Sequence, residues 1–204
     1  MNKKHRTLFP HPLIPYRLHL SFLALTVLFF LIPLPQSKTQ PSIRYLIKDH
    51  AIYKPYSKYP KILVFIADKN NKGKGKLISL DTKNGLIDAE FKAVSGVGGN
   101  EGQSSAGPIP SVVRVDLKHY SVNTKPLYLS IKGIEGNFYK INPHLVKVDG
   151  NTRGDFGIHF DANVPGTAGC LGIVDSANWQ QFQRLMTTYQ RAGLRTIPLI
   201  VAYF

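Results

Sequence analysis

The chain has 204 residues, enough for one domain of ordinary size with extensions, and its 43% hydrophobic and 11% aromatic content excludes wholesale disorder. A formal net charge of +14 points to an anionic partner: nucleic acid, an anionic membrane face or an anionic cell-wall polymer. The chain shows no Arg-rich helix, zinc-finger spacing or paired-aromatic RNA-binding strand, which argues against nucleic acid. Its single cysteine excludes an intrachain disulfide.

Lys3, Lys4, Arg6 and Arg17 precede an almost wholly apolar run, Leu18 to Leu34. A basic stretch followed by a hydrophobic core is the pattern of an export signal. No small-x-small cleavage site follows it, so residues 1–35 read as an uncleaved signal anchor with its basic end in the cytoplasm. Either way, the remaining chain is expected outside the cytoplasmic membrane, in the cell envelope. Residues 36–60 alternate polar, basic and aromatic residues with three prolines and read as a linker, its tyrosines packing on the domain.

From Lys61 the pattern becomes β. KILVFIA (61–67) and KLISLD (76–81) precede the turn signal Lys83-Asn84-Gly85, and LIDAEFKAVSG (86–96) follows. A glycine- and serine-rich loop, 96–107, ends in Gly107-Pro108-Ile109-Pro110. Further strands are expected at 112–117, 126–133, 137–143 and 145–150. Trp179, Phe182, Leu185 or Met186, and Tyr189 recur at helical spacing, with Asp175 or Ser176 as N-cap and Gly193 beyond the C-terminus. TIPLIVAYF (196–204) reads as a central strand. The expectation is a mainly β domain over 61–204, a mixed or curved sheet with one covering helix near the C-terminus.

The chemistry concentrates in Gly157 to Asp175, GIHFDANVPGTAGCLGIVD. FGIHF reads as a strand that presents His159 and Asp161 on one face and Phe156, Ile158 and Phe160 on the other. The connector up to Gly169 is short enough to return the chain beside that strand, which brings Cys170 to His159. A thiol with an imidazole base is a nucleophile pair. Gly169 and Gly172 leave room for a substrate backbone near the sulfur, and the amides of Gly169 and Cys170 are candidate oxyanion donors. The imidazole's orienting acceptor is Asp161, Asp155 or a backbone carbonyl. Arg153 is a candidate clamp for a substrate carboxylate, and His119 and His144 read as surface or structural. Asp155-x3-His159-x-Asp161 lacks a second histidine at ligand spacing, so neither a metal nor another cofactor is expected.

The order strand–His–loop–Gly-Cys–strand resembles the L,D-transpeptidase (YkuD-like) catalytic domain over roughly 61–204. The match reads His159, then Thr167-Ala168-Gly169-Cys170-Leu171-Gly172-Ile173, with Val94-Ser95-Gly96 and Gly107-Pro108-Ile109-Pro110 upstream. Gly-Pro-Ile-Pro and the short His-to-Cys connector bring it closer to a divergent branch of small peptidoglycan-processing proteins than to the main transpeptidases. Three positions depart from it: Ala168 where many members have a second histidine, Gly172 where an arginine is usual, and Ser111-Val112 where a glycine follows the prolines. The resemblance implies a Cys170 nucleophile, a His159 base, and Thr167, Asp161, Gly172 and Arg153 at the substrate. It implies peptidoglycan stem peptides as partners, with transfer to an amine or to water. A non-catalytic wall-binding domain of the same fold is the competing expectation. Papain-like and NlpC-type endopeptidases run Cys before His, the reverse of this chain.

Overall fold

The computed structural model describes residues 56–204 apart from 69, 72, 163 and 164. The N-terminal basic stretch, the apolar run and most of the linker lie outside the described residues. Eleven strands are described: β1 Lys61–Ala67, β2 Lys74–Asp81, β3 Leu86–Ser95, β4 Tyr120–Asn123, β5 Leu127–Ile131, β6 Ile134–Asn142, β7 Leu145–Val148, β8 Asn151–Gly154, β9 Gly157–Phe160, β10 Leu171–Ile173 and β11 Thr196–Tyr203. One helix, α1 (Ser176–Arg191), lies between the last two strands.

Nine of the strands form one mixed sheet in the order β4-β11-β1-β2-β3-β10-β9-β6-β5, and β4 also pairs with β6. That extra pairing, Ser121 opposite Asn142 and Val122 opposite Ile141, closes eight strands into a barrel-like ring with β5 appended on β6. Two junctions are parallel, β1–β11 and β9–β10. β7 and β8 form a separate hairpin.

Strand alternation explains the layering. On β1, Leu63, Phe65 and Ala67 enter the main core, while Ile62 and Val64 join a second cluster with Ile78, Leu80, Ile200 and Tyr56. Both faces of β1 are therefore covered, which is why its sequence is a continuous apolar run. β11 lies between β1 and β4 and is buried through its middle, as its apolar character predicts. Tyr56 and Tyr59 pack against the second cluster, with His119 5.6 and 5.3 Å from their rings.

The helix starts at the Asp175 N-cap, whose carboxylate accepts from the Asn178 amide at 2.9 Å. It buries Trp179, Phe182, Met186 and Tyr189 against the sheet. Phe182 meets Phe91 edge-on at 5.5 Å and Tyr139 at 5.2 Å, an aromatic lock between helix and barrel. Gly193 follows the helix in the left-handed region at φ 83°, and the Leu194 amide closes back on the Tyr189 carbonyl.

One expected strand is absent. Residues 112–116 form turns, not a strand. The alternation of VVRVDL misleads because Val112 and Val115, three apart, are the residues that pack on the core, while Val113 is 86% exposed. The amides of Arg114 and Val115 bond to the Ser111 carbonyl, and Asp116 sits at φ 51°. The strand expected there begins later, at Tyr120.

Candidate functional site

β9 and β10 run parallel, with Gly172 opposite His159 and Leu171 opposite Ile158. Cys170 stands immediately before β10. It is on the same face as Gly172, two residues back, so it lies diagonally from His159 along the strand pair. Both residues line one pocket of about 290 Å³, with Thr167, Ala168, Val97, the β5–β6 turn residues Lys132 and Gly133, and Ile134 at the start of β6. Parallel neighbours usually need a long crossover. Here 161–170 suffices because β9 and β10 are only four and three residues long, so the return along them is short.

His159 is 3% exposed. Its Nδ1 is 2.9 Å from the Phe160 carbonyl oxygen, so in the neutral ring the proton sits on Nδ1 and Nε2 is the basic nitrogen. The orienting acceptor is therefore the backbone carbonyl, not a carboxylate. Burial pushes the imidazole below its usual range, opposed by the Phe160 carbonyl and by the charge of Asp161. The ring stacks on Phe138 at 6.3 Å with 19° between planes. Gly157 makes room for that ring, because a Cβ there would lie 2.0 Å from the Phe138 ring.

Cys170 is 8% exposed, and burial pushes its thiol up to about 11. The Gly157 amide and the charge of Arg153 work the other way without overcoming desolvation, while the Asp155 charge adds to the rise. At neutral pH the resting pair is therefore thiol and neutral imidazole, not a thiolate–imidazolium pair.

The turn that presents the sulfur is tied by Thr167. Its hydroxyl donates to the Cys170 carbonyl at 2.6 Å and accepts from the amides of Gly96 at 2.8 Å and Gly169 at 3.2 Å. Thr167 thus builds the turn, and the Gly169 amide points at its hydroxyl instead of serving as an open oxyanion donor. Gly169 itself has φ 115°, and a Cβ there would lie 2.4 Å from the Arg153 guanidinium. Ser95 bridges the next wall, donating to the Gly169 carbonyl at 3.3 Å and accepting from the Ile109 amide at 2.8 Å.

Arg153 is 5% exposed and lies inside the wall. Its Nη1 donates to the carbonyls of Glu101 and Pro108, each at 2.6 Å. Its Nη2 donates to those of Gly107 at 2.9 Å and Ala168 at 3.0 Å. The guanidinium joins the glycine-rich loop to the cysteine turn, and it is not among the pocket's lining residues. Ser111, at one departure from the resemblance, places its amide and hydroxyl on the buried Glu101 carboxylate at 2.5 and 2.7 Å. At another departure, Gly172, a Cβ would meet that of Asp161 at 2.9 Å, so the usual arginine has no room. Asp161 accepts from the Gly166 amide and lines a larger cleft of about 630 Å³ with Asn70, Asn71, Lys74 and the 96–100 loop. The two cavities share Val97 and Gly166.

Sequence reasoning brought Cys170 and His159 together. It missed Lys132 and Ile134 at the pocket mouth and Phe138 beneath the imidazole. The exposed apolar residues of β5 were the available signal for a hairpin lying beside the site.

Fold and site together define a mainly β domain with a buried thiol–imidazole pair in a small surface pocket. No family and no curated protein matches the chain. Among solved structures it is similar to the helical cell shape determining protein Pgp2 from Campylobacter jejuni, at 16% identity and a TM-score of 0.45. That similarity covers 71% of this chain and 49% of Pgp2, so the chain spans about half the length of that protein.

Proposed function

We propose that this domain catalyses cysteine-dependent acyl transfer on peptidoglycan stem peptides, as an L,D-transpeptidase, or as an L,D-carboxypeptidase when water accepts the acyl group. One observation carries the reading: His159 and Cys170 face a single pocket from adjacent strands, with Nδ1 held by the Phe160 carbonyl. The resemblance of the motif and the basic charge of the chain support the substrate class.

With thiol and imidazole both neutral at rest, the sulfur loses its proton as it attacks. His159 Nε2 takes the proton from Sγ while the S–C bond forms at the carbonyl of the L-centre. The tetrahedral intermediate collapses as Nε2 returns that proton to the departing D-amino acid nitrogen, leaving a thioester on Cys170. An amine of a second stem, or water, then attacks the thioester and gives up a proton to Nε2; the C–S bond breaks, the new acyl product leaves, and Nε2 returns that proton to Sγ, restoring the thiol. Arg153 acts by holding the loop to the cysteine turn. Lys132, at the pocket mouth, is the cation for a stem carboxylate, and Asp161 in the larger cleft receives the acceptor amine. The domain works outside the cytoplasmic membrane, tethered by residues 1–35.

The non-catalytic wall-binding reading draws on one observation, the burial that keeps Cys170 protonated. One experiment separates the two. The full chain is incubated with disaccharide-tetrapeptide muropeptides, or with a carbapenem, and resolved by mass spectrometry. Enzyme action gives trimmed or cross-linked muropeptides and a carbapenem adduct on Cys170, both lost in Cys170→Ala and His159→Ala. Unchanged muropeptides and an unmodified Cys170 would overturn the enzyme reading.

A further inference from the structure

The strand that carries His159 is reached through a residue the mechanism above does not use. Asp155 joins β8 to β9 and is one of four described non-glycine residues with positive φ, at 57°. A side chain in the left-handed region is disfavoured and persists where the surroundings over-determine it. The surroundings here are specific. The Asp155 amide donates to the His144 carbonyl at 3.2 Å, and its carboxylate lies 3.2 Å from His144 Nδ1. Gly154 fits against the same carbonyl, where a Cβ would come within 2.3 Å. Through this bend the chain turns Arg153 into the wall and Gly157 toward the sulfur.

The product of the bend is a carbonyl aimed at the nucleophile. Cys170 Sγ is 3.7 Å from the Asp155 oxygen, within range of an S–H donor. The Gly157 amide, two residues on, acts on the same sulfur from the opposite chemical side, as a donor to the thiolate. We propose that Asp155 is a positioning residue for Cys170: its left-handed turn aims a backbone carbonyl that holds the resting thiol in one rotamer beside His159. Attack breaks the S–H···O contact as the proton passes from Sγ to His159 Nε2, and the electron pair left on sulfur forms the bond to the acyl carbon. The catalytic consequence of the contact rests on the nucleophile reading above, whereas the contact itself does not.

The charged and titratable groups around the sulfur are Asp155 and Arg153, which act on it, and His159 and Lys132, which line its pocket. The test keeps these matched. Asp155→Asn and Asp155→Val both remove the carboxylate, but asparagine tolerates positive φ and valine does not. Because Cys170 is the only cysteine, its S–H infrared stretch is a single band. In the wild-type full chain and in Asp155→Asn this band is expected at the lowered frequency of a hydrogen-bonded thiol, and in Asp155→Val at the free-thiol position. Iodoacetamide alkylation of Cys170 near pH 8 is expected about two- to fivefold faster in Asp155→Val than in Asp155→Asn, because the neutral form loses its acceptor. Should the valine chain not fold, Asp155→Ala, which carries a smaller penalty at positive φ, replaces it. A free-thiol band in the wild type, or superimposable alkylation profiles for the asparagine and valine (or alanine) chains, overturns the proposal. Neither readout depends on turnover, so failure of the muropeptide reaction leaves this result standing.

Discussion

Replacing Arg153 by methionine removes one side chain and strips four backbone carbonyls of their donor. The stem of methionine fills much of the same space, so the loss is mainly polar. Two of the four bonds are 2.6 Å and the others 2.9 and 3.0 Å. At about 1 kcal/mol net per bond, four bonds contribute about 4 kcal/mol. Burial already depresses the guanidinium's proton affinity, so removing a costly buried charge returns part of this. A net loss of about 2–4 kcal/mol is expected, which is a large share of the stability of an ordinary domain. For a chain of this size that lowers Tm on the order of 10 °C. The assay is urea and thermal unfolding of wild type, Arg153→Met and Arg153→Lys. Lysine presents a point charge instead of a planar fork and is expected to recover less than half of the difference. Muropeptide turnover by the folded variant is expected to fall in kcat, because the cysteine turn loses its tie at the Ala168 carbonyl. Unchanged unfolding with a raised KM would refute the reasoning and make Arg153 a clamp for substrate.

Two further outcomes follow from the site. Gly157→Ala is expected to cost about 1–3 kcal/mol by pushing Phe138 off its place under His159. Adding Phe138→Ala should recover part of that cost in a double-mutant cycle, and strict additivity would show that the ring and the glycine do not share space. Alkaline stability carries a thiol signature. The folded state holds the thiol up to about 11 from 9.0, so the unfolded chain ionises first and stability falls as pH rises through this window. That loss is on the order of 2–3 kcal/mol. It should be present in wild type and missing in Cys170→Ala when urea midpoints are compared from pH 8 to 11. Equal slopes for the two chains would argue against a desolvated thiol.

Much of the fold could be read along the chain because its strands are short, apolar or alternating, and bounded by turn residues. The helix was legible from Trp179 to Tyr189 because one face does all the packing; only the choice of Met186 over Leu185 for full burial needed the structure. The reading failed at 112–117, where an alternating pattern of five residues satisfies a turn as well as a strand. At the site, the meeting of Cys170 and His159 was legible because two adjacent strands and a short connector leave it little choice. The orienting acceptor was not, since a backbone carbonyl has no sequence signature. Arg153 illustrates a different limit. An arginine before the strand that carries His159 looks like a substrate ligand, and only the closeness of four carbonyls shows where its donors go. Thr167 likewise reads as part of a motif, while its bonds show that it holds the motif's shape.

The closed ring has a mechanical consequence. Eight of the nine strands in the main sheet have a hydrogen-bonded neighbour on both sides, and β9 and β10 are among them. Widening the gap between the thiol and the imidazole would therefore strain every junction around the circle. β5 is outside the circle, joined only to β6 through the register Leu127–Phe138 to Ile131–Ile134. Its turn carries Lys132 and Gly133 to the pocket mouth. The domain thus sets the thiol and the imidazole on a closed hoop and hangs the turn that carries Lys132 outside it, on β6 alone.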